Sequence, residues 1–402
     1  MPTEQYFAVA DDLNATVTPT AYSQHQAQQS IVYVTEHPSA VRSREHWFRA
    51  GYVAWWTDGL DLPPLLTTSD PTVPIGDAGV LGFPTTSVLL GDESFAESAR
   101  HGYRLTSYDE WSVANQFGLQ VDVLGFGEQD GTEEILRLDG SSVLAVPFYD
   151  VSSDEESSVV LAYPGARVGG AKAVSQSFFS LIGLAIRQNL FDRLETVETG
   201  NRFDIYAGYR FGGLNERFEY VTAAFFNGPP LMGIEQWDSF QAKNLFHGVD
   251  LGLVRSWNRD RWTFELEGRT AIGSNRRRAI VEGRTGVGTA ATFPTGATFD
   301  DVGLFGASTN SGLFRDTIFS MQGEFAARVR WQMVDWLSAS VGYSLFYWSN
   351  VTRPADLIDR GLNPDGFAFG SSPPAGAQRP AFRWRESDFW AQGLQVGVEA
   401  RW

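Results

Sequence analysis

Phe319-Ser320-Met321-Gln322-Gly323-Glu324-Phe325-Ala326-Ala327-Arg328-Val329-Arg330-Trp331 is the stretch on which the fold turns. Phe319, Met321, Gly323, Phe325, Ala327, Val329 and Trp331 share one parity; Ser320, Gln322, Glu324, Ala326, Arg328 and Arg330 share the other. Successive side chains of a strand point to opposite faces, so this is a strand with one apolar and one polar side. Arg202 to Phe211 repeats the pattern, with Phe203, Ile205, Ala207, Tyr209 and Phe211 against Arg202, Asp204, Tyr206, Gly208 and Arg210. Trp262 to Arg269 does so again, with Trp262, Phe264, Leu266 and Gly268 against Thr263, Glu265, Glu267 and Arg269.

Less regular copies lie at Trp47–Trp56, Gly102–Trp111, Phe117–Gly127, Ala173–Gln188, Asn244–Val254, Leu337–Ser349 and Phe389–Trp402. About ten strands result, an even number as in single-chain bacterial barrels. The connections alternate in length: long near 57–101, 128–172, 212–243, 270–318 and 350–388, short near 112–116, 189–201, 255–261 and 332–336. Hairpin barrels of the outer membrane have short periplasmic turns and long extracellular loops, which puts both barrel ends on the periplasmic side. The last strand ends on Trp402, with Trp390, Leu394, Val396, Val398 and Ala400 on its face. A terminal strand closing on an aromatic resembles the signature by which such barrels are recognised for assembly. The expected fold is an all-β, antiparallel up-and-down transmembrane barrel with long extracellular loops over 46–402, preceded by a polar, disordered segment over 1–45.

Composition agrees. The 402 residues include 41 Gly and 13 Trp, and aromatics make up 14%; these residues suit pleated surfaces and bends. The net charge of -17 argues against a nucleic-acid partner, which would demand clustered cations. There is no Cys, which excludes disulfides, thiol catalysis and Cys-ligated metals. No run approaches the apolar length of a membrane helix. Met1 to Ser30 shows no basic segment followed by an apolar core, so an exported chain is expected to have lost its leader or to start elsewhere.

Several stretches resemble a planctomycete family of outer-membrane β-barrel proteins, the seventh in the "BBP" series. They include Tyr52-Val53-Ala54-Trp55-Trp56 running into Asp58-Gly59-Leu60-Asp61-Leu62-Pro63-Pro64-Leu65, then Gly342-Tyr343-Ser344-Leu345-Phe346-Tyr347-Trp348, and Phe389-Trp390-Ala391-Gln392-Gly393-Leu394. The resemblance runs from Trp47 to Trp402 and implies an outer-membrane barrel; it assigns no catalytic residues.

If apolar faces meet lipid, polar faces line the lumen: Arg49, Arg187, Arg202, Asp204, Arg210, Glu265, Glu267, Arg269, Glu324, Arg328, Arg330, Glu399 and Arg401. Strand direction sets Glu265 and Glu267 beside Arg328 and Arg330, Arg187 beside Asp204, and Arg49 beside Glu399 where first and last strands close. Buried charges need such partners, so a ladder of ion pairs in the periplasmic half is expected, against separate hydration in a wide lumen.

Little else suggests chemistry. His25, His37, His46, His101 and His247 share no metal-ligand spacing. Gly283 to Thr289 lacks a phosphate-loop ending and reads as a flexible loop, and no Gly-x-Ser-x-Gly elbow occurs. The acidic clusters Glu133-Glu134, Asp154-Glu155-Glu156 and Asp300-Asp301 read as solvated loop charge rather than as a divalent-cation site. Arg276-Arg277-Arg278 reads as a solvated rim, with attraction to anionic headgroups or sugars as the sharper alternative. The sequons at Asn14 and Asn350 presume eukaryotic secretion and are discounted.

The expected role is a passive, porin-like or structural envelope component with a narrow, charge-lined lumen, without enzymatic activity, metal or cofactor. Its expected partners are outer-membrane lipid and, through the strand ending at Trp402, the barrel-assembly machinery. An adhesin or ligand-binding barrel acting through its loops, a barrel enzyme, and a soluble sandwich with inward apolar faces are the competing readings.

Overall fold

The computed structural model describes residues 44–402 apart from 97–98, 113–115, 195–198, 229–231, 290–296 and 368–374. The expected N-terminal segment up to 43, with His25, His37 and the Asn14 sequon, lies outside the described residues.

Ten antiparallel strands close into one barrel: β1 His46–Thr57, β2 Ala99–Ser112, β3 Phe117–Arg137, β4 Arg167–Leu194, β5 Thr199–Phe226, β6 Met232–Arg259, β7 Trp262–Thr289, β8 Gly312–Val334, β9 Leu337–Val351 and β10 Ser387–Arg401. Each pairs with its chain neighbours, and β1 pairs with β10 in a register that sets Arg49 opposite Glu399 and Tyr52 opposite Val396. Over the shared height of the ten strands closure pairs both sides of every strand, the condition for backbone to cross lipid.

The apolar faces point outward. Of the twelve side chains that best test this, Ile205, Tyr209, Trp262, Phe264, Leu266, Phe319, Phe325, Leu394, Val396 and Trp402 are exposed, and Phe203 and Val329 half-buried. A sandwich would have buried them. Trp257, Trp262, Trp331, Trp336 and Trp402 collect near the short turns, while Trp56, Tyr347 and Trp390 mark the other margin. The strand from Trp390 to Trp402, tilted as in other barrels, spans a height of about 30 Å, near that of an outer-membrane apolar band.

The wall is uneven, and this corrects the expected loop map. β4 to β7 are each 28 residues long, whereas β1 has 12 and β9 and β10 have 15. A membrane crossing needs only about 9–11 residues. Most of the expected 212–243 loop is therefore β5 and β6, which pair from Phe226–Met232 downward. Much of 189–201 and of 270–318 is likewise strand, and the Gly283–Thr289 stretch lies in β7 rather than in a loop. Glu133 and Glu134 sit in β3, Glu155 and Glu156 in a short strand at 155–162, and Asp300 in one at 298–300.

The reason is a change of phase. On β5, Tyr209 and Phe211 face out while Arg210 faces in; above them Leu214, Phe218 and Tyr220 face in, and Arg217 and Glu219 face out. Beyond the membrane zone the outside meets water and the inside meets protein, so the polarity of the two faces exchanges. The protein inside is a cap. Residues 66–68, 87–90, 144–150, 155–162 and 361–362 form a small sheet, and Leu65, Leu66, Leu144 and Val146 join Phe218, Tyr220, Phe240 and Val281 of the tall wall in one buried cluster. The 57–99 and 351–387 connections thus turn in over the barrel mouth instead of projecting away.

Replacing Val396, which is 56% exposed at mid-band, by Arg is expected to lower stability by about 2–4 kcal/mol. Urea titration of refolding into lipid vesicles measures this, and the same change at the outward but higher Gln241 is expected to leave the midpoint unmoved.

Candidate functional site

Glu399 belongs to the inward face of β10 and Arg49 to that of β1, so closing the barrel brings them together. Arg49 donates to Glu399 at 2.6 Å and to Glu265 of β7 at 3.3 Å. Arg330 of β8 completes the set, 2.7 Å from Glu399 and 3.8 Å from Glu265, and Arg328 also binds Glu265. Around this tier Arg187 donates through Nε to Asp204 at 3.1 Å, Arg202 lies 2.9 Å from Asp204 and also binds Glu45, and Arg401 sits 2.7 Å from Glu399 at the rim. The guanidinium groups of Arg49 and Arg187 also lie over Trp47.

One tier further in, six residues from six strands form an alternating ring. Arg104 of β2 donates to Asp122 of β3 at 3.0 Å and binds Glu324 of β8. Glu324 accepts from Arg210 of β5 at 3.5 Å, and Arg210 lies 3.3 Å from Asp250 of β6. Arg269 of β7 closes the ring, 2.5 Å from Asp250 and 3.2 Å from Asp122. All six are buried. Each charge has two opposite neighbours, which offsets the large cost of taking it out of water. Two glycines make the room: a Cβ at Gly252 would lie 2.0 Å from the Tyr206 ring, and one at Gly183 2.4 Å from Arg269.

All thirteen expected lumen residues take inward positions, with Arg401 the most exposed. Glu267 departs from its expected pairing: it accepts the Tyr206 hydroxyl at 2.9 Å, because its cross-strand neighbour is Ala326 and Arg330 is drawn to Glu399. Sequence reasoning missed Glu45, Arg104, Asp122 and Asp250. Asp122 and Asp250 had a legible signal, since each stands between outward apolar residues: Val121 and Val123, and Val249 and Leu251.

Above the ring the inner face turns aromatic. Trp55, Phe126, Phe179, Phe246, Phe346, Trp348 and Phe389 pack across the lumen, with Phe179 5.3 Å from both Phe346 and Phe389. Above these rings the chain after β9 dips into the mouth. Asn244 donates to the Thr352 carbonyl at 2.8 Å and accepts from its amide at 2.9 Å. Arg353 then forks onto Glu216 at 2.8 and 3.0 Å and reaches Asp58 at 2.9 Å. Burial, reinforced by the Glu216 carboxylate, pushes Asp58 up to about 6 against the opposing pull of Arg353. The described imidazoles take no part: His46 lies 2.9 Å from Asp109, His101 bonds Tyr52 and His247 lies 3.3 Å from Ser274, all on the outer wall.

Charged tiers, an aromatic layer and a folded cap stacked within ten strands define a plugged membrane-type barrel. The chain belongs to the "Putative beta barrel porin-7 (BBP7)" family, whose model matches residues 47–402. No curated protein matches it. Among solved structures it is similar to the outer membrane protease OmpT from Escherichia coli, with 10% identity, 90% of this chain and 99% of that chain covered, and a TM-score of 0.35. It is also similar to a Pseudomonas aeruginosa FadL homologue, with 8% identity, 89% and 90% covered, and a TM-score of 0.23. Neither likeness bears on the lumen.

Glu399→Gln is expected to strand Arg49 and Arg330 without their shared anion and to cost about 3–5 kcal/mol, read from urea midpoints in vesicles. The double change Arg49→Met with Glu399→Met is expected to recover only the share of that loss due to Arg49, since Arg330 still lacks Glu399. For Asp58, a carboxyl whose folded value exceeds its unfolded one contributes stability that is full below the unfolded value and lost as pH rises through about 6. The protection factors of amides in residues 60–95, taken relative to intrinsic exchange at each pH, are therefore expected to rise on acidification from pH 7 to about 5, and Asp58→Asn to remove that dependence.

Proposed function

We propose that the protein is a porin-like component of the outer membrane whose lumen is closed at rest, serving the envelope passively rather than as an enzyme. The observation that carries this reading is the succession of obstructions along one axis: ion-pair tiers, the Phe179-centred aromatic layer, and the cap pinned by Arg353. Eight-stranded barrels are filled by side chains and those of 16 or more leave channels, so a filled interior suits ten strands. The short turns and both ends of the barrel then face the periplasm, lipid surrounds the apolar band, and the strand ending at Trp402 is the element offered to the assembly machinery.

Planar-bilayer recordings of the refolded full chain test this. No lasting current, or only small brief openings, is expected; a large stable open-channel current would overturn the closed reading. One observation favours a second reading, a binding module at the outer surface. Between cap and tall wall lies a cavity of about 240 Å³, lined by apolar side chains including Leu161, Ala224, Ile234 and Leu304. Retention of a small apolar ligand there, lost on Ala224→Trp, would support it.

A further inference from the structure

Arg276-Arg277-Arg278 lies inside β7, not beyond it, so alternate members face opposite ways. Arg277 points inward and binds Asp316. Arg276 and Arg278 point outward and are exposed, and the register places Lys243 of β6 and Arg315 of β8 directly opposite Arg278 on its two sides. Three cations therefore stand in one row across three adjacent strands, with Arg276 one step below. Like charges directly opposite one another in a sheet are destabilising. Among the described residues none of Lys243, Arg276, Arg278 and Arg315 forms an ion pair with a carboxylate.

Height matters as much as charge. Down the same outward face the register sets Leu245, Arg276 and Thr317 in the next row, His247, Ser274 and Phe319 in the one after, and then the exposed apolar row of Val249, Ile272 and Met321. The cations thus stand above the apolar band, separated from it by a mixed polar and apolar zone of two outward rows, on the side of the headgroups. Beside the cations, an outward groove of about 290 Å³ is lined by Lys243 and Arg278 together with Phe178 and Ile280; Glu128 of β3 and Arg217, which is paired with Glu219 at 2.5 Å, also line it. Cations and apolar surface in one groove fit a molecule that carries a phosphate on a hydrocarbon body. Arginine forks match phosphate oxygens two at a time.

We propose that this face is a binding site for an anionic lipid of the outer leaflet, held by its phosphate on the Lys243–Arg278–Arg315 row with its apolar part along the groove and band. The proposal rests on the membrane placement argued above.

The test places the refolded full chain in nanodiscs of phosphatidylcholine, with or without a minor fraction of phosphatidic acid. Lipid retained by the protein after release is then read by native mass spectrometry. Several-fold enrichment of phosphatidic acid is expected, and its loss in the triple variant Lys243→Gln, Arg278→Gln, Arg315→Gln. Heat-modifiable gel mobility checks that the variant folds; if it does not, the single change Arg278→Gln is expected to reduce the enrichment. Equal retention by wild type and folded variant, or none by wild type, overturns the site. Displacement of the lipid by inorganic phosphate alone would overturn the assignment to lipid. A chain that enters no disc at all would instead defeat the membrane reading.

Discussion

The pairing of Arg49 with Glu399 exists only in a closed barrel, because the two residues come from the first and last strands. Every other inward charge is subject to the same condition. A guanidinium on the inside of an open sheet would sit in water, where a partner contributes little. Inside a closed wall the same group is stable only if carboxylates converge on it from other strands. The alternating ring of Arg104, Asp122, Arg269, Asp250, Arg210 and Glu324 meets that demand with six strands, so it also fixes their mutual register. A slip of two residues in any of them would leave the faces correct and the charges unmatched. Alternation thus sets which way side chains point, and charge pairing sets how far each strand is displaced along its neighbour.

Much of this was legible in the residues themselves. Phe319 to Trp331 and Arg202 to Phe211 declare strands whose two faces meet lipid and lumen, and strand direction with alternation brings Glu265 near Arg328 and Arg330. The outer half was not legible because its alternation inverts. Between Phe211, which faces out, and Leu214 and Phe218, which face in, the period of two persists while its phase changes. A reading that looks for one continuous apolar face stops there and records a loop. The same inversion hid β7 beyond Ile272, where Ala279 and Val281 turn inward beneath the cap. Arg353 was invisible for a different reason: its partners Glu216 and Asp58 are distant in sequence and belong to no shared hairpin.

The tall side of the wall gives the cap its foundation. Long strands rising past the membrane would expose an apolar inner face to water if nothing lay against them. The inturned connections cover that face and bury their own apolar residues in the same step, Leu65 and Leu66 against Tyr220, whose hydroxyl donates to the Leu65 carbonyl at 2.7 Å. Wall height and cap are therefore one solution to one problem.

Asn244 holds the inturned segment by the amide and carbonyl of Thr352, and touches no side chain of that residue in doing so. The latch reads main-chain atoms, which every residue except proline supplies in full. Its two halves are consequently unequal as inheritance: the loop position is buried and so restricted in the size of its side chain, but no atom of that side chain enters the two bonds, whereas the wall position needs a donor and an acceptor at fixed spacing, and even aspartate lacks the donor. A lineage of such barrels is free to rewrite what its plug presents while keeping the means by which the plug is fastened.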